Sequence, residues 1–435
     1  MKAVEVEALV EAVRARAARE AEALLRATVA RMETGDESLR TVEKALQQEG
    51  RKLLAGIYEA ALRTQGNGYG HAHRTCRCGG TLRYVADRTK HLVTLFGSVP
   101  VRRAYYHCAR CHAGEAPLDK ALGVVDGFLT PAVQEMVAWA DVELPYGRAE
   151  GFLRRTLGLT LRKGTYEAVA YSLGATIEAK PLELPPGMAD RPIQDFYITM
   201  DGVKARTTEG FKEPKLGAVF HACRGEDGAP ERVATWYTAG LEEPEAFGER
   251  LWKLAVARGL DRARRVVVVG DGAPWIWGIA QFHFPQAVQI VDWYHAVEHL
   301  WELARLLWGP ESLEARTWVE QREAELHDGR VDAVLRALRR LKVRGPARRD
   351  AVRKDIGYFT TNRARMRYDL FRKAGHFIGS GVAEAGCKRL VTQRFKLSGM
   401  RWSRHGLLRL LHLRLCIYND DWDRFADVHF PALTA

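Results

Sequence analysis

The chain has 435 residues, 47% hydrophobic and 28% charged, the make-up of a folded protein with enough apolar material for more than one domain. Lys and Arg number 66 against 54 Asp and Glu, and the net charge of +12 excludes an acidic disordered chain and suits a polyanionic partner. No apolar run approaches the ~20 residues that cross a bilayer. Seven cysteines are too few for a disulfide scaffold, and the opening MKAVEVEALVEAVRARAARE is charged and helical in period, unlike a signal peptide. These features predict a protein of a reducing cytoplasm with no membrane attachment.

Residues 1–70 read as a helical region, with Val10, Val13, Ala17, Leu24 and Leu25 at helical spacing and a break at Gly35-Asp36-Glu37. Its near-balanced charge suits packing or self-association. Residues 71–127 hold four of the seven cysteines and two strand-like stretches, HLVTLFGSV and VRRAYYHC, punctuated by Gly97 and Pro100. Residues 128–184 return to helical period, and Pro185-Pro186-Gly187 reads as a linker. Residues 185–294 are mixed. IQDFYITMDG, KLGAVFHACR and RVATWYTAG predict three successive strands, a helix follows from about Glu245 to Arg258, and RVVVVGDGA and AVQIVDWY predict two more strands. Residues 295–374 and 375–435 are helical and rich in charge.

Three acidic residues stand out. Asp201 ends an apolar strand, and Asp271 lies just past Val266–Gly270 at the carboxyl end of a buried strand, where ligands gather in open sheets. Glu384 sits early in a helix introduced by Gly379-Ser380-Gly381. Two strand-end carboxylates and one from a later helix can hold two divalent cations for phosphodiester chemistry, and hard oxygen ligands suit Mg²⁺ or Mn²⁺. The ordinary alternatives are a helix cap for Asp271, turn chemistry for Asp201 before Gly202, and a solvated helix position for Glu384. Taken jointly, three strands with the first ending in Asp, then a helix, then a strand ending in Asp follow the order of an RNase H-like core.

The segments MDGVKARTTEGFKEPKLGAVF, GDGAPWIWGIAQFHFPQAVQIVDWYHAVEHLW and GHFIGSGVAEAGCKRLVTQRFKLSGMRWS resemble bacterial insertion-sequence transposases of the ISKra type. YYHCARCHAGEAPLDKALG and LTPAVQEMVAWADVELPYGRA extend the resemblance back to about residue 75. These are DDE-class enzymes, distantly similar to Mutator-type transposases. The resemblance implies an α+β multidomain chain: helical, zinc-ribbon-like and helix-turn-helix modules ahead of an RNase H-like catalytic domain with a helical insertion. It also implies metal-dependent cutting and joining of transposon-end and target DNA, with Asp201, Asp271 and Glu384 as the acidic triad. The 113 residues between Asp271 and Glu384 would hold the insertion, and Asp292 and His295 match the family's Asp-x-x-His signature. Synapsis of two transposon ends implies a homodimer or higher oligomer, nucleoid-associated.

Related alternatives are an RNase H-like nuclease or resolvase without strand transfer, and a DNA-binding protein whose catalysis has lapsed. His295-Ala-Val-Glu298-His299 also spells H-x-x-E-H, the pattern of a zinc peptidase, although a five-residue motif arises easily by chance.

Cys76-Arg-Cys78 and Cys108-Ala-Arg-Cys111 predict a four-thiolate structural zinc site. The first pair is one residue short of the C-x-x-C that the family usually shows, and His73 is a substitute ligand; the alternative is a decayed site. Residues 146–173 predict a helix-turn-helix with its turn at Gly158 and with Arg162, Lys163 and Tyr166 leading the second helix toward DNA. From Ala385 to Asn419 there is no acidic residue; Lys388, Arg389, Arg394, Lys396, Arg401, Arg404, Arg409 and Arg414 predict phosphate neutralisation, and Trp402 stacking on an unpaired base.

Overall fold

The computed structural model describes residues 3–124, 128–179, 193–225 and 230–430, so the linker expected at Pro185–Gly187 lies outside the described residues. The protein is mixed α+β and divides into two compact units: residues 1–173 with 422–435, and residues 174–421. The division is coarser than the six segments read from sequence. No helix among the described residues is long and apolar enough to cross a membrane.

In the first unit, α1 (Ala3–Thr34) and α2 (Leu39–Thr64) pack together, and the Ser38 side chain caps α2 by accepting the Thr41 N–H. An antiparallel sheet follows, ordered β1 (His73–Thr75), β2 (Thr81–Thr94), β3 (Gly97–Cys108) and β4 (Gly114–Glu115). HLVTLFGSV is therefore not one strand. The chain reverses at Leu95-Phe96, where Thr94 Oγ1 accepts the Phe96 N–H at 3.0 Å and donates to the Gly97 carbonyl at 2.8 Å. Leu62 of α2 closes a small core with Leu92, Val99, Val101 and Leu118, the last on α3 (Pro117–Ala121). Helices α4 (Pro131–Glu143) and α5 (Tyr146–Leu157) follow; α5 ends at Gly158, and α6 (Lys163–Ala179) begins five residues later and straddles the unit boundary. The last helix of the chain, Trp422–His429, belongs with this unit, and Trp422 Nε1 donates to Glu135 at 3.0 Å.

The second unit is built on a five-stranded sheet. Its strands are β5 (Ile193–Gly202), β8 (Lys215–Arg224), β9 (Pro230–Gly240), β10 (Ala263–Gly270) and β11 (Val288–Val291), ordered β11-β10-β5-β8-β9. Between β5 and β8 lies a small hairpin, β6 (Ala205–Thr207) and β7 (Gly210–Lys212), too short to give a period in the sequence. β10 runs parallel to both β5 and β11, while β5, β8 and β9 pair antiparallel. β10 is covered on both faces, which is why Val266 to Val269 form an unbroken apolar run rather than an alternating one. Helices α7 (Pro244–Ala257) and α8 (Pro274–His283) serve as connections between strands. After β11 come α9 (Trp293–Trp308), α10 (Leu313–His327), α11 (Val331–Arg340), α12 (Pro346–Thr361) and α13 (Tyr368–Lys373). One core runs from Phe196, Val268 and Ile276 through Leu300 and Val334 to Phe359, so these helices are continuous with the sheet. The chain then forms α14 (Gly381–Gly386), a π-helical stretch at Cys387–Thr392, α15 (Gln393–Phe395) and α16 (Arg404–Tyr418).

The core holds charge where a partner is at hand. Asp195 on β5 is fully buried and accepts two bonds from Arg265 on β10, at 2.5 and 2.9 Å, tying the two strands side by side. Asp195→Ala removes two charge-assisted hydrogen bonds but leaves the part-exposed Arg265 open to water, and is expected to cost about 2 kcal/mol in denaturant unfolding, where a surface ion pair would cost less than about 1.

His221, His376 and His412 are held neutral chiefly by burial, which lowers each below its ordinary value. In the unfolded chain they charge below about pH 6.5. Unfolded protein then binds more protons than folded, so stability falls as pH drops through that value. Urea midpoints at pH 7.5 and 5.5 check this: His412→Leu is expected to narrow the difference.

Candidate active site

The parallel register sets a row of acids at one edge of the sheet. Thr199 pairs with Val269, so Asp201 and Asp271, each two residues further on, stand level on neighbouring strands. Gly270 pairs with Val291, so Asp292 stands level with Asp271. Asp201, Asp271, Asp292 and Glu384 all line one cleft of about 450 Å³, together with His295, Glu298 and Arg305.

Backbone N–H groups fix the row. Asp201 Oδ1 accepts the Gly202 N–H at 2.6 Å, and Asp271 Oδ1 accepts the Ala273 N–H at 2.8 Å. Burial raises the Asp201 carboxyl above its usual range and the charge of Asp271 raises it further, against the opposing pull of the Gly202 N–H, the Cys387 thiol and His295. Burial also pushes the Cys387 thiol up, helped by Asp201 and Glu384, so it remains a thiol and donates to Asp201.

Asp292 has the most structural work. It is buried; Oδ1 accepts the His295 N–H at 2.9 Å and caps α9, while Oδ2 accepts the Ser380 N–H at the head of the turn into α14. The Trp293 N–H donates to Ile378 O at 2.8 Å beside it. These bonds anchor the start of the helix that carries the exposed Glu384 to the end of β11. In the sequence Asp292 stands out through the Asp-x-x-His signature, which gives it no role. Its position one residue past an apolar strand was the available signal.

Behind Asp271, the Tyr358 hydroxyl of α12 donates to the Asp271 carbonyl at 2.9 Å. Gly272 has φ +104°, and a Cβ there would lie 2.5 Å from the Tyr358 ring, so no larger residue fits this turn. His299 stacks on Tyr358 with centroids 3.9 Å apart, and its Nδ1 meets Asp355 at 2.9 Å. His295 and His299 are thus divided between the cleft and this wall, with ring centroids 6.1 Å apart. Among the described residues, no group of three or more ligands with converging donor atoms includes them.

Among the described residues, the one group of three or more potential ligands with converging donor atoms is Cys76, Cys78, Cys108 and Cys111, all sulfurs lying within 4.8 Å of one another. The sulfurs of Cys76 and Cys111 are 3.6 Å apart and those of Cys78 and Cys108 3.7 Å. Tetrahedral sulfurs ~2.3 Å from zinc stand roughly 3.8 Å apart, so the group can hold a metal ion such as zinc. The short first pair works because its turn closes through Gly79 N–H to Cys76 O, at 2.9 Å, and Cys76 N–H to Gly80 O, at 2.8 Å. His73 stays exposed in β1, outside the group. The Cys111 backbone N–H leads in pulling the Cys108 thiol down to about 7, which makes a thiolate available at neutral pH.

The proposed DNA contacts divide by burial. Arg162 and Lys163 are exposed at the start of α6, but Tyr166 is fully buried, and burial pushes its hydroxyl up to about 12. It lies on the inward face with Val169, Ala170 and Leu173 and is not a DNA contact. Lys388, Lys396 and Arg401 are exposed. Arg394 and Trp402 are buried, the guanidinium 5.1 Å from the indole centroid and the indole N–H donating to Phe395 O at 3.2 Å, which removes both from any base. Arg414 is buried too, donating to Leu390 O at 2.9 Å and Arg389 O at 2.5 Å; it satisfies the carbonyls of the π-helical stretch rather than a phosphate.

The structure therefore defines a mixed α+β protein with an acidic cleft at the carboxyl ends of parallel strands and a separate four-cysteine group able to take a metal. The chain matches, over residues 80–426, the model of an uncharacterised protein family, UPF0236, and belongs to that family. No curated protein matches it.

Metal analysis checks the cysteine group. Purified protein is expected to carry zinc that a chelator removes, and Cys108→Ser to carry little and to be cut more readily by protease around residues 73–115.

Proposed function

We propose that this protein is a DDE-class DNA transposase of the ISKra type with an RNase H-like catalytic core, cutting transposon ends and joining them to target DNA. The observation that carries the reading is that Asp201, Asp271 and Glu384, 183 residues apart from first to last, line one cleft. The strand order β11-β10-β5-β8-β9, with β10 parallel to its neighbours and β8 and β9 antiparallel, supports an RNase H-like core. The helices between β11 and α14 are the insertion.

The donor set fits hard divalent cations. The three side chains offer only carboxylate oxygens, and a cation there would favour the charged form of Asp201, which burial and, to a lesser extent, the charge of Asp271 disfavour. Asp201, beside both Asp271 and the Cys387 thiol, would hold two Mg²⁺ or Mn²⁺ ions together with Asp271 and Glu384. Bound there, such ions supply activation of water and stabilisation of the leaving oxygen at a phosphodiester. Asp292 positions Glu384 through Ser380, and Tyr358 positions Asp271 through its carbonyl. Lys388, Lys396 and Arg401 are exposed on the segment that follows Glu384 and would neutralise phosphates, as would Arg162 and Lys163 at the head of α6. The cysteine group would hold a structural zinc.

The test uses supercoiled donor DNA bearing the element's ends, supplied with Mg²⁺ or Mn²⁺. Wild type is expected to nick or cut at the ends and join them to a second DNA. Asp201→Ala, Asp271→Ala and Glu384→Ala are expected to fold and bind the ends with cleavage below detection. An alanine variant that cuts at the wild-type rate removes that residue from the triad. Cleavage without any joined product turns the reading toward a nuclease.

A further inference from the structure

The carboxylate cleft has a neighbour. A second concavity, of about 500 Å³, is lined by Trp293, Tyr294, His327, Phe377 and Gly379, with Glu323 as its acid. Its size is that of a small-ligand pocket, and much of its wall is aromatic. Tyr294 borders both concavities and is the ridge between them.

Three features make Tyr294 a built surface. It is 72% exposed in the first turn of α9, a helix whose start is fixed by the Asp292 cap. Its ring lies on Gly379, where a Cβ would come within 3.0 Å of Tyr294 Cε2, so the small residue at the turn into α14 leaves room for the ring. The neighbouring Trp293 has no such freedom: it stands edge-on to Tyr368 at 5.0 Å and to His327 at 5.8 Å. At the margin, the Arg372 guanidinium bonds His327 at its carbonyl, 2.9 Å, and at Nδ1, 3.1 Å, which brings a cation beside the aromatic walls.

We propose that this second cleft receives one unpaired nucleobase of the DNA strand whose phosphate occupies the carboxylate cleft, stacked on Tyr294, with Arg372 near the adjoining phosphate. The inference rests on the DNA-cutting reading above and adds to it a base subsite. A strand threading past Tyr294 meets carboxylates suited to metal-held phosphate on one side and aromatic surface on the other. A phosphate would find no cation inside the second cleft and would face Glu323. A base needs only a π-face, and every base has one, so the site is expected to tolerate sequence.

Fluorescence anisotropy with the full-length protein tests it, in buffer containing chelator so that no strand is cut. The probes are a duplex with a short single-stranded thymidine tail and the same duplex with tail positions replaced singly by abasic nucleotides. Wild type is expected to bind about tenfold more weakly when the base at one particular position is missing. Tyr294→Ala is expected to bind all tails alike, and Tyr294→Phe to restore the dependence. Equal binding of intact and abasic tails by wild type overturns the base site, as does a Tyr294→Ala protein that still senses the missing base. A wild type that cuts DNA with Mg²⁺ but ignores abasic tails loses only this proposal; one that binds no DNA loses the transposase reading as well.

Discussion

The parallel pairing of β10 with β5 on one side and β11 on the other is the constraint on which the site depends. Parallel strands point the same way, so their carboxyl ends meet at one edge, and the register levels the residues just past those ends. Asp201, Asp271 and Asp292 are brought together by this alone, although they are far apart in sequence. The pair of buried Asp195 and part-exposed Arg265 lies near the start of β5 and β10 and ties them side by side. A slip of one residue would turn Asp271 toward the other face of the sheet.

Gathering carboxylates at one edge is electrostatically unfavourable, and the local backbone shows how the cost is met. Each strand-end Asp accepts a nearby N–H: Gly202 for Asp201, Ala273 for Asp271, His295 for Asp292. Asp292 uses its second oxygen on Ser380 and so spends its charge inside the protein. Asp201 keeps a carboxyl displaced upward by burial and by Asp271. Of the row, Asp292 is thus the structural acid, with both oxygens on backbone N–H groups, although it lines the cleft beside Asp201 and Asp271. The same economy explains the arginines. Arg394 and Arg414 sit in a block without acids, yet both are buried, one beside Trp402 and the other on backbone carbonyls. The π-helical stretch that follows α14 alters the usual carbonyl pairing, and Arg414 meets two of the resulting acceptors.

How much was legible beforehand differs by element. The helix beginning at Tyr146, the turn at Gly158 and the buried strand Val266–Val269 announce themselves through period and punctuation, which are local properties. So does the gathering of the cysteine pairs, because a hairpin joins them. The inward face of α6 was legible as well: Tyr166, Val169, Ala170 and Leu173 recur at helical spacing, and that stripe outweighs the position of Tyr166 near a helix start. The turn at Leu95-Phe96 had its signal in Gly97, whose φ of +122° no larger residue readily adopts, whereas the hairpin Ala205–Lys212 is too short to give a period.

The sequence by itself determined which residue types are available: acids at the ends of apolar strands, thiols in two close pairs, an excess of cations toward the carboxyl end. Only the tertiary structure decided which of them share a space. It set Asp292 beside Ser380, put Tyr358 behind Asp271, divided His295 from His299, and took Arg394 and Trp402 out of solvent. The physical reason is that strand register and side-chain burial are settled by packing across the whole core, among residues that no local period connects.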